Sequence, residues 1–419
     1  MKDIWRRRYL ESVESERSEA NVLTGFNANL DYIYRFDDLD IDLESVESRK
    51  IDPVKNPEEL NSVLKYCIEN NENMEVHGKH LAREFPEAEK RLGGQGGIIS
   101  DFLSKTGNYV VFYTPFLSQE LADLIDSEVV YPVADGGLKL KRVKDAVNTD
   151  RVKENMIVEY DNEHTGRLIV SDRLQGFGPY FRKGVEEKLD KLDDELDAVV
   201  LSGFHDADGN FESKIDKAEV QISQIKSPKH LEYVDMEASK SEKILADLVP
   251  EFDSIGLDES EALELSSSLG HSFEEKLSLG EAFQLSKSLI EDYSLERIHI
   301  HTYRYHVAVT GEDYGTRPEK IRESMLYAEN CALKMSDIGE IPDSIDMNNY
   351  SLENKHVHIL DDLEDFQHHL GLDNFVEEGI AEIDGFNVVS IPTLIHEDPE
   401  RVVGMGDVIS SAAFTAELR

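Results

Sequence analysis

Ala198-Val199-Val200-Leu201-Ser202, leading into Gly203-Phe204-His205, is the stretch that decides the fold. A short apolar run rich in β-branched residues reads as a buried strand, and it follows at once on the helical pattern Glu186 to Leu196. The same alternation repeats outward in both directions. Val22-Leu23-Thr24-Gly25-Phe26, Tyr109-Val110-Val111-Phe112-Tyr113, Leu231-Glu232-Tyr233-Val234-Asp235, Arg297-Ile298-His299-Ile300-His301 and Val388-Val389-Ser390-Ile391 read as further buried strands. Ser239 to Leu248, Glu261 to Leu269, Leu279 to Glu291, Pro318 to Lys334 and Val408 to Leu418 read as helices. Such alternation predicts an α/β fold with a parallel, doubly wound sheet covered on both faces. Asp31 to Glu89 and Val129 to Arg182 break the rhythm. Their short alternating pieces, such as Met156-Ile157-Val158-Glu159-Tyr160 and Arg167-Leu168-Ile169-Val170-Ser171, predict antiparallel strands of a smaller lid. The expected organisation is one unit, residues 1–419, with lid segments near 31–90 and 129–182 and the remainder in a large domain.

At 419 residues and 40% hydrophobic, the chain can bury a substantial core. Its 44 Lys+Arg face 87 Asp+Glu, so 44 − 87 = −43, a field that repels nucleic acid and anionic membranes. The acids are spread along the whole length, which suggests a solvated surface suited to high salt, where screening removes self-repulsion. With only Cys67 and Cys331, an N-terminus lacking an apolar core and no run of membrane-spanning length, the expected location is a reduced cytoplasm.

In doubly wound sheets, ligands collect beyond the carboxyl ends of the strands. Val402-Val403-Gly404-Met405-Gly406-Asp407-Val408 describes a tight turn opening a helix. It serves either as an ordinary helix start or as an anion cradle that holds Asp407 beside the anion. Asn27, Asn29 and Asp31 would share one face if extended, as turn-formers or as hydrogen-bonding partners of a sugar's vicinal hydroxyls. In Arg91-Leu92-Gly93-Gly94-Gln95-Gly96-Gly97, a Gly pair on each side of one amide is either a flexible loop or a backbone able to approach a ligand closely. Asp235-Met236-Glu237 and Asp258-Glu259-Ser260-Glu261 place carboxylates where a strand gives way to a helix; they could meet Mg²⁺ through water, or cap the helix, as Asp258 with Glu261 suggests. His299 and His301 share a strand face without a further ligand nearby in sequence, which favours buried histidines satisfied by backbone over a metal site.

Taken in order, these elements resemble the archaeal ADP-dependent glucokinase and phosphofructokinase family of the ribokinase-like superfamily. The match is collinear over nearly the whole chain, through Gly25-Phe26-Asn27-Ala28-Asn29-Leu30-Asp31, the double-Gly loop, Leu201-Ser202-Gly203-Phe204, the two acidic motifs, His299-Ile300-His301-Thr302-Tyr303 and Gly404-Met405-Gly406-Asp407. The resemblance implies a ribokinase-like, Rossmann-like large domain holding ADP and a smaller α+β lid closing over a sugar. It implies an Mg²⁺-dependent phosphotransferase that moves the β-phosphoryl group of ADP to fructose 6-phosphate, glucose or both, giving AMP in glycolysis. The partners it implies are ADP and a hexose or hexose phosphate, for a monomer or small homo-oligomer. By the same resemblance Asp407 is the base, and the Gly404, Met405 and Gly406 backbone steadies the transferred group. Asn27, Asn29, Asp31, Gly94, Gln95 and Gly97 line the sugar site, with Glu84 as a lid carboxylate. Glu237 and Glu261, with Asp258, act on Mg²⁺ and its waters.

Two departures stand out: the family's His-x-Glu reads here as Asp235-Met236-Glu237, and its Asn-x-x-Glu as Asp258-Glu259-Ser260-Glu261. Val402 stands where the family usually has Thr. Arg167 and Arg173 are candidates to meet phosphate on closure, and Lys139, Lys141 and Arg142 to receive a sugar phosphate. The alternatives are an ATP-dependent ribokinase-like sugar or nucleoside kinase, and a weakly catalytic sugar- or nucleotide-binding regulator.

Overall fold

The computed structural model describes all residues except 15–18, 40, 42, 80, 82–84, 86–87, 162–164, 183, 274–275, 340, 342–351, 397–403 and 419. The apolar runs stack as a parallel core in the spatial order Arg297–His301, Ser254–Asp258, Lys229–Glu232, Ala198–Leu201, Asn21–Gly25, Tyr109–Tyr113 and Val130–Ala134. Both edges are antiparallel: Tyr305–Gly311, Phe386–Pro392 and Ile380–Ile383 extend one side, and Leu138–Arg142 the other, giving an 11-stranded sheet. Val199, Val200 and Leu201 are wholly buried, as expected of a strand covered on both faces. Each such side chain contributes about 1.5–3 kcal/mol by leaving water.

A second sheet of five strands runs Met74–His77, Thr165–Asp172, Lys153–Asp161, Asn29–Arg35 and Glu89–Gly93. The alternating pieces at 156–160 and 167–171 do pair antiparallel here, Met156 opposite Val170 and Val158 opposite Leu168. The segment assigned to the lid also contains strands 130–134 and 138–142, which belong instead to the large sheet. Their inward residues Val130 and Tyr131 are buried against the large core, so burial drew them there. Within 31–90 the helix Pro57–Asn70 lies among the strands, capped by Asn56 and started by Pro57.

One boundary moves in a way that matters for chemistry. The strand expected at 231–235 is Lys229–Glu232, so its carboxyl end falls at Glu232 rather than Asp235. The last helix, Met405–Glu417, packs along Pro318–Ile338 and Gln95–Lys105, its inner residues from Val408 to Glu417 buried. Among the described residues no helix is long and apolar enough to cross a membrane.

Candidate active site

Beyond the carboxyl ends of the parallel strands, the two sheets enclose a cleft of about 430 Å³. The smaller sheet brings Asn73, Glu159, Gly166 and Arg167 to it; the large one brings Gln95, Glu232, Asp258, Glu261, His301, Gly404, Gly406 and Asp407. Two helix N-termini, at Gln95 and Met405, reach this space, each following a glycine with positive φ. The first N–H groups of a helix have no intrahelical acceptor and carry the positive end of its dipole, so both starts favour an anion.

Four carboxylates converge there from the side of the large sheet, with Glu159 opposite them. Glu261 and Asp258 form a reciprocal cap, Glu261 N–H donating to Asp258 at 2.8 Å and Asp258 N–H to Glu261 at 2.7 Å, so the capping reading holds alongside a place in the cleft. Burial, then Asp258 and further on Asp407, hold the Glu261 carboxyl well above the usual range. Burial, then the charge of Asp407, does the same to Glu232. Acids crowded this way gain from a cation. Arg167, its backbone N–H tied to Asn73 at 2.8 Å, is the arginine that lines the cleft. No group of three or more His, Cys, Asp or Glu among the described residues could hold a metal ion directly. Carboxylate oxygens are hard donors, so Asp258, Glu261 and Glu232 around one cleft have the chemistry to suit a hard, hydrated cation such as Mg²⁺.

Glu237 is elsewhere: it is exposed, at the start of the short helix Ala238–Lys243, and does not line the cleft. Glu232, on the strand end three residues earlier than expected, takes the cleft position instead. The His-x-Glu pattern is thus spelled His230-Leu231-Glu232, with His230 Nε2 3.3 Å from Glu232. A histidine and a glutamate two residues apart, with Leu231 between them, were the available signal. Burial, then Arg297, pushes His230 well below the usual range, leaving a neutral imidazole.

The Asn27-Asn29-Asp31 trio is buried, is not among the residues lining the cleft, and divides. Asn29 and Asp31 lie on the strand Asn29–Arg35, and Asn29 donates to Asp31 at 2.5 Å, with Asn155 donating to the same oxygen at 3.1 Å. Asn27 precedes the strand and turns away, its side-chain oxygen accepting from Gly96 N–H at 3.0 Å and Ser202 Oγ at 2.9 Å, a tie rather than a ligand position. Gly94 and Gly97 pack against this strand end, and of the double-Gly loop Gln95 faces the cleft. Next to Asn29 in the paired strand stands Lys153, missed by sequence, with Nζ 2.8 and 2.9 Å from the Asp206 oxygens.

Arg173 is exposed beyond its strand and does not line the cleft. Lys139 and Arg142 pair with Asp135 and Glu128 on the sheet's edge strand, outside the cleft, as is Lys141. Arg304 is spent on Asp362 at 2.6 Å and Glu259 at 3.1 Å. His299 and His301 are buried as expected, but not satisfied by backbone: both His299 ring nitrogens and His301 Nδ1 lack a hydrogen-bond partner. Burial lowers His301 to about 4 despite Asp258. Glu84 and Val402 fall outside the described residues.

Residues 20–416 match the conserved region of ADP-specific phosphofructokinase/glucokinase. The chain belongs to that family. An ADP-specific phosphofructokinase of Pyrococcus horikoshii is 25% identical over 448 residues, covering 95% of this chain and 97% of that protein. An ADP-dependent glucose/glucosamine kinase of Pyrococcus furiosus is 25% identical over 448 residues, covering 97% and 96%. Among solved structures, an ADP-dependent kinase in complex with fructose-6-phosphate and ADPβS superposes with a TM-score of 0.84 at 26% identity, over 100% of this chain and 97% of that one. The ribokinase-like α/β architecture expected from the motifs is that of this ADP-dependent kinase.

Proposed function

We propose that this ADP-specific phosphofructokinase/glucokinase family member transfers the β-phosphoryl group of ADP to a sugar hydroxyl and releases AMP. The observation that carries the reading is Asp407 in the first turn of the Met405–Glu417 helix, sharing one cleft with Arg167 of the opposite sheet. Asp407 takes the proton of the attacking hydroxyl as the new P–O bond forms and the bond to the AMP oxygen breaks. The Gly404, Met405 and Gly406 backbone N–H groups face the charge that spreads over the transferring oxygens, and Arg167 adds a cation from the lid side. Asn29 and Asp31 orient the acceptor sugar. Asp258, Glu261 and Glu232 would hold Mg²⁺ through its waters; when bound, the ion neutralises phosphate charge.

We further propose fructose 6-phosphate ahead of glucose as acceptor. Lys153 supports this: burial lowers its ammonium pKa, but Asp206, Glu75 and Asp31 more than offset it and keep it a cation beside Asn29. Already paired with Asp206, that cation would meet a second anion in a phosphorylated sugar, and none in glucose. The deciding measurement is formation of sugar phosphate in molar salt with Mg²⁺, read together with the nucleotide released (AMP from ADP, ADP from ATP), for ADP and ATP as donors against fructose 6-phosphate and glucose as acceptors. ADP with fructose 6-phosphate should be fastest. Turnover with ATP alone would overturn the donor assignment, and ADP binding without AMP from either sugar would leave a binding protein.

A further inference from the structure

Behind the cleft, a chain of buried polar groups runs from Glu232 to the far end of the last helix. Arg297, on the strand Arg297–His301, is wholly buried and grips Glu417 with Nε at 2.9 Å and Nη2 at 2.6 Å. Its Nη1 donates to Ser254 Oγ at 3.1 Å, and that hydroxyl lies 2.8 Å from His230 Nδ1. On the other side of the ring, His230 Nε2 is 2.9 Å from Ser410 Oγ and 3.3 Å from Glu232 Oε2, and Ser410 in turn bonds the Glu232 carboxylate.

One set of directions joins every link, starting from the guanidinium, which can only donate. Ser254 accepts from Arg297 and, in this set, gives its one proton to His230 Nδ1. A neutral imidazole accepting at Nδ1 carries its proton on Nε2, and donates there. Ser410 accepts from Nε2 and passes its own proton to Glu232. The members are each 4% exposed or less, so solvent does not reverse the sequence. Gly256 keeps the junction open: a Cβ there would lie 2.1 Å from Ser410 Oγ and 2.5 Å from Glu232 Oε2. Ser410 and Glu417 are seven residues apart and so share one helix face, while Asp407 sits one turn before Ser410.

We propose that Arg297, which touches no substrate, is a positioning residue for phosphoryl transfer. Its one-way chain through Ser254, His230 and Ser410 aims Glu232 into the cleft, and its grip on Glu417 holds the helix of Asp407 in register. The inference rests on the kinase reading, but the relay can be read without turnover.

The experiment takes the full-length protein labelled with ¹⁵N-histidine, with His230→Gln used to assign the His230 signal. The wild type should show His230 as the neutral tautomer protonated on Nε2, and Ser254→Ala should shift its Nδ1 resonance. A proton on Nδ1 in the wild type would overturn the relay, whether or not the protein is active, and this arm stands even where Ser254→Ala fails to fold. In the folded variant, kcat should fall about tenfold, the scale of losing a group that orients a site from behind. KM for ADP and sugar should stay within about twofold, and Ser254→Thr should recover most of kcat. Wild-type kcat in Ser254→Ala, or a loss confined to KM, would remove the positioning role. A wild type that forms no AMP but shows the Nε2 tautomer would sink the kinase reading and leave the relay intact.

Discussion

Helix Gln95–Lys105 and helix Met405–Glu417 both start at the cleft behind a glycine of positive φ, Gly94 at 75° and Gly404 at 80°, and neither cap offers a side-chain acceptor. What lies behind them differs. Gly96 donates to Asn27 Oδ1 at 3.0 Å and Gly97 to Asn27 O at 3.0 Å, so the first start uses its N–H groups to clamp a strand end. The second has a carboxylate in its first turn and two of its glycines on the cleft wall. A Gly-rich helix start is an anion cradle only where its N–H groups are not already taken by the fold. One of these motifs is thus mainly architecture and the other chemistry.

The largest expected effect tests the second start. Asp407→Ala should lower kcat by about 10²–10⁴, the scale of removing a positioned base, while calorimetry still finds ADP bound within severalfold of wild type. Near-normal turnover would refute the assignment and make the two helix starts equivalent.

Next in size is a pair of glycine substitutions that should separate stability from activity. A Cβ on Gly96 would lie 2.8 Å from Asn27 O and 2.9 Å from Gly25 C, both backbone atoms. Gly96→Ala should therefore cost about 1–3 kcal/mol in urea unfolding, typical of overpacking. A Cβ on Gly406 meets a side chain instead, His301 Nε2 at 2.6 Å, which can give way only by disturbing the cleft wall. Gly406→Ala should lose more in kcat than in unfolding free energy. The reverse pattern in the pair would overturn the contrast.

How much of this was legible follows the same division. The parallel core could be read because buried strands announce themselves as β-branched runs; Tyr109–Tyr113 and Arg297–His301 were found to the residue. Asp407, Glu261, Gln95 and Arg167 line the cleft, and glycines, caps and an alternating strand mark them locally in the sequence. Glu232 was missed because the apolar run Leu231 to Val234 drew the strand three residues too far, hiding a His-x-Glu that was present. Lys153 was missed because a half-buried lysine is recognisable only beside its partner, and Asp206 lies in another segment. Asn27 was misassigned because period-two reasoning holds within a strand, and the strand starts at Asn29. The cations at 139–142 misled because their partners Asp135 and Glu128 come from the flanking turns.

The smallest expected effect concerns what backs each helix start. The first is backed by amides, which do not titrate. Behind the second, the His301 and His306 rings meet edge to face, and His306 adjoins Glu329, whose Oε1 accepts from Leu394 N–H at 3.1 Å and whose Oε2 lies 3.5 Å from His306 Nε2. Burial raises Glu329 from 4.5 to about 7 and lowers His306 to about 3. Between pH 4.5 and 7 the folded protein binds more of the Glu329 proton than the unfolded chain does, so this contribution is full below 4.5 and lost as pH rises through 7. His306 slopes the opposite way between 3 and 6.5, which would mask the effect in the wild type alone. Glu329→Gln keeps an acceptor for Leu394 and removes only the carboxyl titration. Its unfolding free energy relative to wild type should therefore improve from pH 5 to pH 8.5, by at most about 3 kcal/mol at roughly 1.4 kcal/mol per pKa unit. A difference that stays flat with pH would mean that Glu329 does not titrate in this window, and that both helix starts rest on pH-insensitive ground.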